Sequence, residues 1–460
     1  MNRKTWIFSG GIFVLALLMR VLSMNFVFGD YDEGVYIATL RSIAHGFPLI
    51  AKTYSSQFPL FFYMTLPVYL LTHNIVFLRL VVALCSLIII VLSYFLVSKY
   101  VCRRAAYIVC LYLAVNSIFL TVSRTFQLDI PWLCFTTISF FFLLLFHEKR
   151  KYWQLIASAL AFAASILIKA SPLFIPVLIC YACYLVYKKR WQATPYLAVY
   201  ALISIACVIV VITPSNLMTL YHEAISIRGA SVGFPPSVDT LKTLVRHEWI
   251  VMFLALGSVI LFVWRKEWRN NVFFVLSTVW LATTSVVFLF YNELFYHHLV
   301  FFILPCIFVG VFCIEYIARF VPQVVIWIGV VGILIYSSFV VTNDISIIHP
   351  RVSSYDNQLQ QVSIYVKAHA SSSNFVISDD QLVLYLANRN TPPDEVDTSN
   401  VRIQHGQLSA QTLIHDTETY HVKVVVLVSG RLVQIPAYVA YLRTHYQEHH
   451  IDGASVYVLP

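Results

Sequence analysis

The sequence predicts a polytopic α-helical membrane protein that ends in a small extracytoplasmic α/β domain. Three observations predict this. Hydrophobic residues make up 59% of the 460-residue chain and charged residues only 12%, against about 25% charge in an ordinary soluble chain. Apolar runs long enough to cross a bilayer as helices recur from the N-terminus to about residue 341. Beyond 343 they give way to short alternating strand and helix patterns. This composition excludes a disordered chain and argues against an ordinary soluble enzyme.

Eleven spans are expected, at roughly 6–27, 75–98, 105–122, 130–146, 152–169, 172–187, 195–213, 249–264, 271–290, 297–315 and 322–341. Residues 59–72 form a shorter apolar run, expected as a re-entrant or interfacial helix, with a twelfth crossing as the less favoured alternative. The basic clusters test this count. Arg3 and Lys4 precede the first span, and Lys99, Arg103 and Arg104 follow the second. Lys149 to Lys151 follow the fourth, Lys188 to Arg190 the sixth, Arg265, Lys266 and Arg269 the eighth, and Arg319 the tenth. All fall on one side if 59–72 does not cross, so the positive-inside rule puts the N-terminus in the cytoplasm and the C-terminus outside. A multi-pass protein of the inner (plasma) membrane follows. Residues 1–342 would be the membrane domain and 343–460 the outer domain, with outer loops at 30–74 and 214–248.

The net charge of +9 is spent on those topology clusters, so a nucleic-acid partner is not expected. The nine cysteines lie in or beside apolar spans and form no array of CxxC pairs, which argues against a disulfide framework and a zinc finger. MNRK followed by an apolar run reads as a first, uncleaved helix.

In the tail, FVIS at 375–378 and SVYVL at 455–459 are expected strands. KVVVLV at 423–428 is the strongest strand, continuous and β-branched as a strand covered on both faces should be. Helices are expected at 381–387 and, after Pro436, at 436–446, with a loop at 388–399.

Charges at a membrane edge are costly and therefore informative. Asp30, Asp32 and Glu33 follow the first span, and Arg79 opens the second. Arg124 and Asp129 share the tight outer turn between the third and fourth, and Lys169 ends the fifth. Asn292, Glu293, His297 and His298 lie between the ninth and tenth, and Arg20 lies within the first span. Each has a bland reading: the basic side chains could snorkel, Asp129 could cap the fourth span, and the histidines could be interfacial. Their gathering on one side predicts a charged outer cavity. There a carboxylate could act as general base toward a hydroxyl, and Arg, Lys and His could stabilise phosphate charge. A substrate with a lipid tail and a phosphorylated head suits such a place. A transporter would more often place ionisable groups at the bilayer midplane.

Several segments together resemble the polytopic glycosyltransferases of the C-type (GT-C) superfamily, nearest the protein O-mannosyltransferases and the lipid A aminoarabinose transferase, as a bacterial member. Asp32-Glu33-Gly34-Val35-Tyr36 resembles their DExxY motif, and Arg20 the basic residue before it. Phe58-Pro59-Leu60-Phe61-Phe62-Tyr63 is similar to their PPLxxY segment, and Arg79-Leu80 to their RL pair. Arg124 to Asp129 resembles their Arg…Asp turn, Lys169 with Pro172 their Lys-Gly-Pro segment, and Tyr296 to Pro305 their HYLLPLLP-like segment. The resemblance covers residues 6–341 in outline. It implies an inverting transferase that takes a sugar from a polyprenyl-phosphate donor at the outer face and passes it to a hydroxyl of a glycolipid, an envelope glycan or a protein. Asp32 would be the catalytic carboxylate, with Glu33 and Asp30 as alternatives. Arg20, Tyr36, Pro59, Tyr63, Arg79, Arg124, Asp129, Lys169, Glu293, His297 and His298 would contact or position substrate.

The chain departs from these relatives. Phe58 stands for the first Pro of PPL, and Ser55, Ser56 and Gln57 stand where the aminoarabinose transferase has an acidic and a basic residue, so no donor or metal contact is carried over to that place. The 214–248 loop is too short for the extra lumenal domain of the protein-mannosylating relatives. The chain has no GxGxxG, P-loop or HExxH motif, so no cofactor is expected, while carboxylates and imidazoles could meet around a divalent ion. Asp129 is expected to orient Arg124 or to pair with Lys169. A lipid-linked glycan polymerase or ligase, or a flippase, is the alternative reading of the same cavity.

Overall fold

The computed structural model describes residues 3–25, 30–188, 194–212, 214–221, 223, 238–291, 294–322 and 353–460, with six further residues between 328 and 336. Asn292, Glu293 and most of the expected 322–341 span lie outside the described residues.

The first helix, α1 (Arg3–Val21), carries Arg20 in its last turn. The expected outer loop contains a helix of its own, α2 (Tyr31–Ala44), whose N-terminus is capped by the Asp30 carboxylate on the N–H groups of Asp32 and Glu33. That cap satisfies two of the orphan donors every helix start leaves open. Residues Glu33 to Ser42 of α2 are all buried. After a loop, α3 (Leu60–Thr72) follows, with Pro67 inside it. Its 13 residues span about 20 Å, short of a bilayer core.

The long helix α4 (Ile75–Tyr100) is capped by Asn74. The third expected span is broken into α5 (Arg103–Val115) and α6 (Ser117–Val122). Asn116 sits extended at the break, and its side chain caps α6 through the Phe119 N–H at 2.8 Å. Helices α7 (Asp129–Lys149) and α8 (Tyr152–Ile168) form an antiparallel pair. The sixth expected span opens on a 3-10 turn at Pro172–Phe174 before the helix Ile175–Tyr187, and the seventh is Thr194–Val211. The expected 249–264 span is longer than its apolar run: the helix Val238–Phe262 begins in polar sequence. Val272–Phe290 and Val300–Ile317 follow.

Among the described residues five helices are long and apolar enough to cross a membrane, and five shorter apolar helices accompany them. The chain is a multi-pass membrane protein. Small and hydroxylated residues let its helices approach, as expected where lipid supplies no hydrophobic drive. Ser139 on α7 lies 3.1 Å from the Ser158 hydroxyl on α8 and 3.0 Å from the Tyr200 hydroxyl. A Cβ at Gly310 would come within 3.3 Å of the Val251 carbonyl oxygen. Aromatic rings fill the centre, with Phe174 and Phe140 edge-on to Trp280 at 5.3 and 5.6 Å.

The tail is an α/β unit around a four-stranded sheet of order β1-β2-β4-β3. β1 (Val376–Ser378) and β2 (Val424–Leu427) are parallel, with Val376 opposite Val424. β4 (Ala454–Val458) pairs antiparallel with β2 and with β3 (Gln447–Ile451). The β3–β4 turn places Asp452 and Gly453 at φ of 49° and 85°, as a tight hairpin requires. Helices Ser354–His369 and Gln381–Ala387 pack on one face, and Ala410–Thr419 and Pro436–His445 on the other. All four residues of β2 are therefore buried.

The tail is seated on α2. Arg41 donates to the carbonyl oxygens of Leu384 and Arg389 at 3.2 and 2.6 Å. Tyr31 donates to Asp397 at 3.0 Å, with the Arg431 guanidinium 3.7 Å above its ring. Gly34 faces the start of helix Gln381–Ala387, where a Cβ would meet the Leu382 nitrogen at 2.8 Å.

Candidate active site at the start of α2

Glu33 is fully buried and pairs in fork geometry with the equally buried Arg79, at 2.7 Å to Nε and 2.5 Å to Nη2. Arg79 also donates to the Met24 carbonyl at 2.7 Å, and the Phe126 N–H donates to Glu33 at 2.6 Å. One ion pair thus ties the end of α1, α2, α4 and the 123–128 turn together. Arg20 does similar work one layer deeper. Its guanidinium donates to the Ala16, Leu113 and Ala114 carbonyls and to Ser86. Leu113 and Ala114 lie in the last turn of α5, whose carbonyls lose helical partners at the Asn116 break. The structure places Arg20 beneath the site.

Around the α2 N-terminus the other expected residues converge. Asp30 receives the Gln127 side-chain amide at 2.6 Å. Its burial and the neighbouring Asp32 carboxylate push its pKa up to about 6. Asp32, with its side chain 36% exposed, lies 3.7 Å from His297 Nε2. The His297 and His298 rings are 4.4 Å apart, and the Phe295 N–H donates to His298 Nδ1 at 3.3 Å. Asp129, buried at the start of α7, takes the Lys169 ammonium at 2.6 Å, and Lys169 lies 5.1 Å from the Phe301 ring centre. Of the two expected roles for Asp129, pairing with Lys169 is the one observed. Arg124 is buried and donates to the Leu22 carbonyl at the end of α1.

The segment similar to PPLxxY divides. Pro59 is buried at the start of α3, and Tyr36 packs edge-on against Phe61 and Phe62 at 5.8 and 6.0 Å. Tyr63 is 47% exposed on α3. Glu293 lies outside the described residues.

Three ligand atoms of Asp129, His297 and His298 lie within 4.8 Å of one another. One carboxylate and two imidazoles suit a borderline divalent ion. Lys169, already on Asp129, competes for the same oxygen. The site can therefore hold either the ion or the ammonium at that oxygen.

Two contributors escaped the sequence. Gln127 was hidden inside the Arg124 to Asp129 segment as an uncharged residue. Glu248 reads as loop, yet it is buried on Val238–Phe262, accepting from Asn116 at 2.6 Å and from the Tyr112 hydroxyl. A carboxylate four residues after Leu244 on an apolar helical face was the available signal.

The chain is similar in fold to known proteins. Residues 56–213 match the family model for dolichyl-phosphate-mannose-protein mannosyltransferase. No curated protein sequence matches the chain. The crystal structure of ArnT from Cupriavidus metallidurans bound to undecaprenyl phosphate superposes with a TM-score of 0.69 at 12% identity, covering 99% of this chain and 98% of that one. The archaeal oligosaccharyltransferase AglB from Archaeoglobus fulgidus, in complex with an inhibitory peptide and a dolichol-phosphate, superposes at 0.61 and 12% identity, covering 97% of this chain and 73% of that one. The polytopic helical bundle with its C-terminal α/β unit has the fold of the GT-C polytopic membrane glycosyltransferases.

Proposed function

We propose that the protein is an inverting glycosyltransferase that moves a sugar from a polyprenyl-phosphate-linked donor to a hydroxyl acceptor at the outer face of the plasma membrane. The observation that carries this reading is the accessible Asp32 carboxylate facing His297, whose ring nitrogen in turn lies close to Asp129 and its buried pairing with Lys169. The fold shared with a structure bound to undecaprenyl phosphate supports it. So does the agreement of the basic clusters, which by the positive-inside rule favours an N-terminus in the cytoplasm and residues 343–460 outside.

In this mechanism Asp32 takes the proton of the acceptor hydroxyl. The oxygen attacks the anomeric carbon from the face opposite the phosphate. The anomeric C–O bond breaks, its electron pair leaves with the polyprenyl phosphate, and the configuration inverts. Lys169 and Arg124, with His297 or His298 as a further donor, stabilise the charge that builds on the departing phosphate. The donor is already activated, so the reaction needs no nucleotide. Glu33 holds Arg79 and the Phe126 N–H, and Asp30 holds the first turn of α2. Both position Asp32. A divalent ion at Asp129, His297 and His298 would add positive charge beside the leaving phosphate.

The test is transfer from labelled polyprenyl-phosphate sugars to a membrane extract by protein in lipid. The wild type should transfer label with inversion, and Asp32→Asn should lose about 10²–10⁴-fold in rate while inserting normally. Equal transfer by both would remove Asp32 from the reaction. Absence of transfer from every donor by folded protein would remove the transferase reading itself.

A further inference from the structure

A second cluster of acidic side chains lies in the tail. It is built on the short 3-10 turn Pro393–Val396 and on the helix Ala410–Thr419. Ligand oxygens of Asp394, Glu395 and Asp416 all lie within 4.8 Å of one another. Glu395 is fully buried, Asp416 is 8% exposed, and Glu223 adds a further carboxylate that repels Asp394.

Proximity alone would mean little, since acidic groups cluster without ions. The decisive observation is the Glu395 side chain. Both of its oxygens are sealed from solvent, and neither accepts a hydrogen bond. Across the cluster lies the Asp416 carboxylate, which when ionised is also an acceptor only. The backbone is not free to turn it outward. The Glu395 N–H is bonded to the Pro392 carbonyl at 2.9 Å, and the Glu395 carbonyl takes the Gln381 amide at 2.7 Å.

Charge counting points the same way. The nearby cation is Arg402, whose guanidinium donates to the Asp394 side chain at 2.9 Å and to the Asp394 and Asp397 carbonyls at 2.6 Å each. Even before Glu223 is counted, one guanidinium against Asp394, Glu395 and Asp416 leaves an excess of two negative charges when all three are ionised, with Glu395 and Asp416 buried and Asp394 partly exposed. A carboxylate buried without donor or cation is strongly unfavourable. A divalent ion removes the excess. The donor set is all oxygen, which selects a hard cation over zinc or copper. Calcium–oxygen distances of about 2.4 Å put ligands on opposite sides of the ion about 4.8 Å apart, the outer limit of this cluster.

We propose that Asp394, Glu395 and Asp416 form a calcium site that fastens the 393–397 turn to the Ala410–Thr419 helix. The turn it would fasten is the one that touches the membrane unit. The Tyr54 N–H donates to the Pro393 carbonyl at 3.1 Å, Arg402 stacks 3.6 Å over the Tyr54 ring, and Asp397 accepts from Tyr31 beside Asp32. Calcium thus seats the tail on α2. The inference stands on the tail's own residues and does not depend on the glycosyltransferase reading.

The test uses full-length protein in lipid nanodiscs, stripped with EDTA, with thermal unfolding of the tail followed by amide hydrogen exchange across residues 353–460. Millimolar calcium should raise the midpoint of the wild type by several degrees. Equilibrium binding of radioactive calcium should show one site. Glu395→Gln and Asp416→Asn should each lose both the shift and the bound ion, with midpoints in EDTA no lower than that of the wild type. An unchanged midpoint on adding calcium would overturn the proposal. So would a calcium response that survives in Glu395→Gln and disappears when His297 and His298 are both replaced, because that would place the ion at the start of α2.

Discussion

Glu33 receives protons from three directions, two from Arg79 and one from the backbone of Phe126, all without solvent. Removing one member of such a pair leaves a bare buried charge, and the cost is about 3–5 kcal/mol. Arg79→Met should therefore lower the unfolding midpoint sharply, whereas Arg79→Met combined with Glu33→Leu should recover part of the loss. A double-mutant cycle on the midpoints measures the coupling. Asp30 gives a pH dependence of known sign. Its pKa in the folded protein stands at about 6, above the usual 3.8. The folded state therefore binds the proton more tightly, so its contribution to stability is full below about pH 4 and is lost as pH rises through 6. The rise from 3.8 to about 6 corresponds to at most about 3 kcal/mol. Denaturant titrations from pH 4 to 7 should show this decline, and Asp30→Asn should flatten it.

At the scale of elements, α2 is held on both sides. The membrane bundle grips it through Glu33, and the tail grips it through Gly34 and Arg41. Gly34 has an ordinary helical backbone, and its small size is what the contact requires. The nearest obstacle to a Cβ is the Leu382 nitrogen at 2.8 Å, backbone that cannot swing aside. Gly34→Ala should cost about 1–3 kcal/mol through displacement of the tail. Amide exchange along α2 and Gln381–Ala387 should accelerate, while exchange in α4 and α7 stays as in the wild type. Equal exchange in all four helices would place the contact elsewhere. The break between α5 and α6 is a second such arrangement. Asn116 caps the lower piece, Glu248 holds the Asn116 amide, and Arg20 serves the carbonyls that the break exposes.

For the whole molecule, the sequence made legible what depends on local pattern. The apolar runs gave most helices, and KVVVLV gave the central strand. The gathering of Asp30, Asp32, Asp129, Lys169, His297 and His298 could be anticipated because each stands at a span end that the basic clusters assign to one side. Pairing between distant positions was not legible. The bond between Glu33 and Arg79, 46 positions apart, comes from helix packing, and no local pattern encodes it. Helix α2 was missed because its residues are buried almost all round, so it lacks the polar face that marks a surface helix. The Ser354–His369 helix and strand β3 were missed for the opposite reason: QEHHI at β3 is a polar edge strand with little apolar alternation. The seating of the tail has a further consequence for engineering. Tyr31, Gly34, Arg41 and Tyr54 all belong to the segment between α1 and α3, yet their partners lie between 382 and 431. A chimera that exchanged only the C-terminal unit between related chains would cut through this shared surface. The transplantable module is the tail together with residues 31–54, and it carries Asp32 with it.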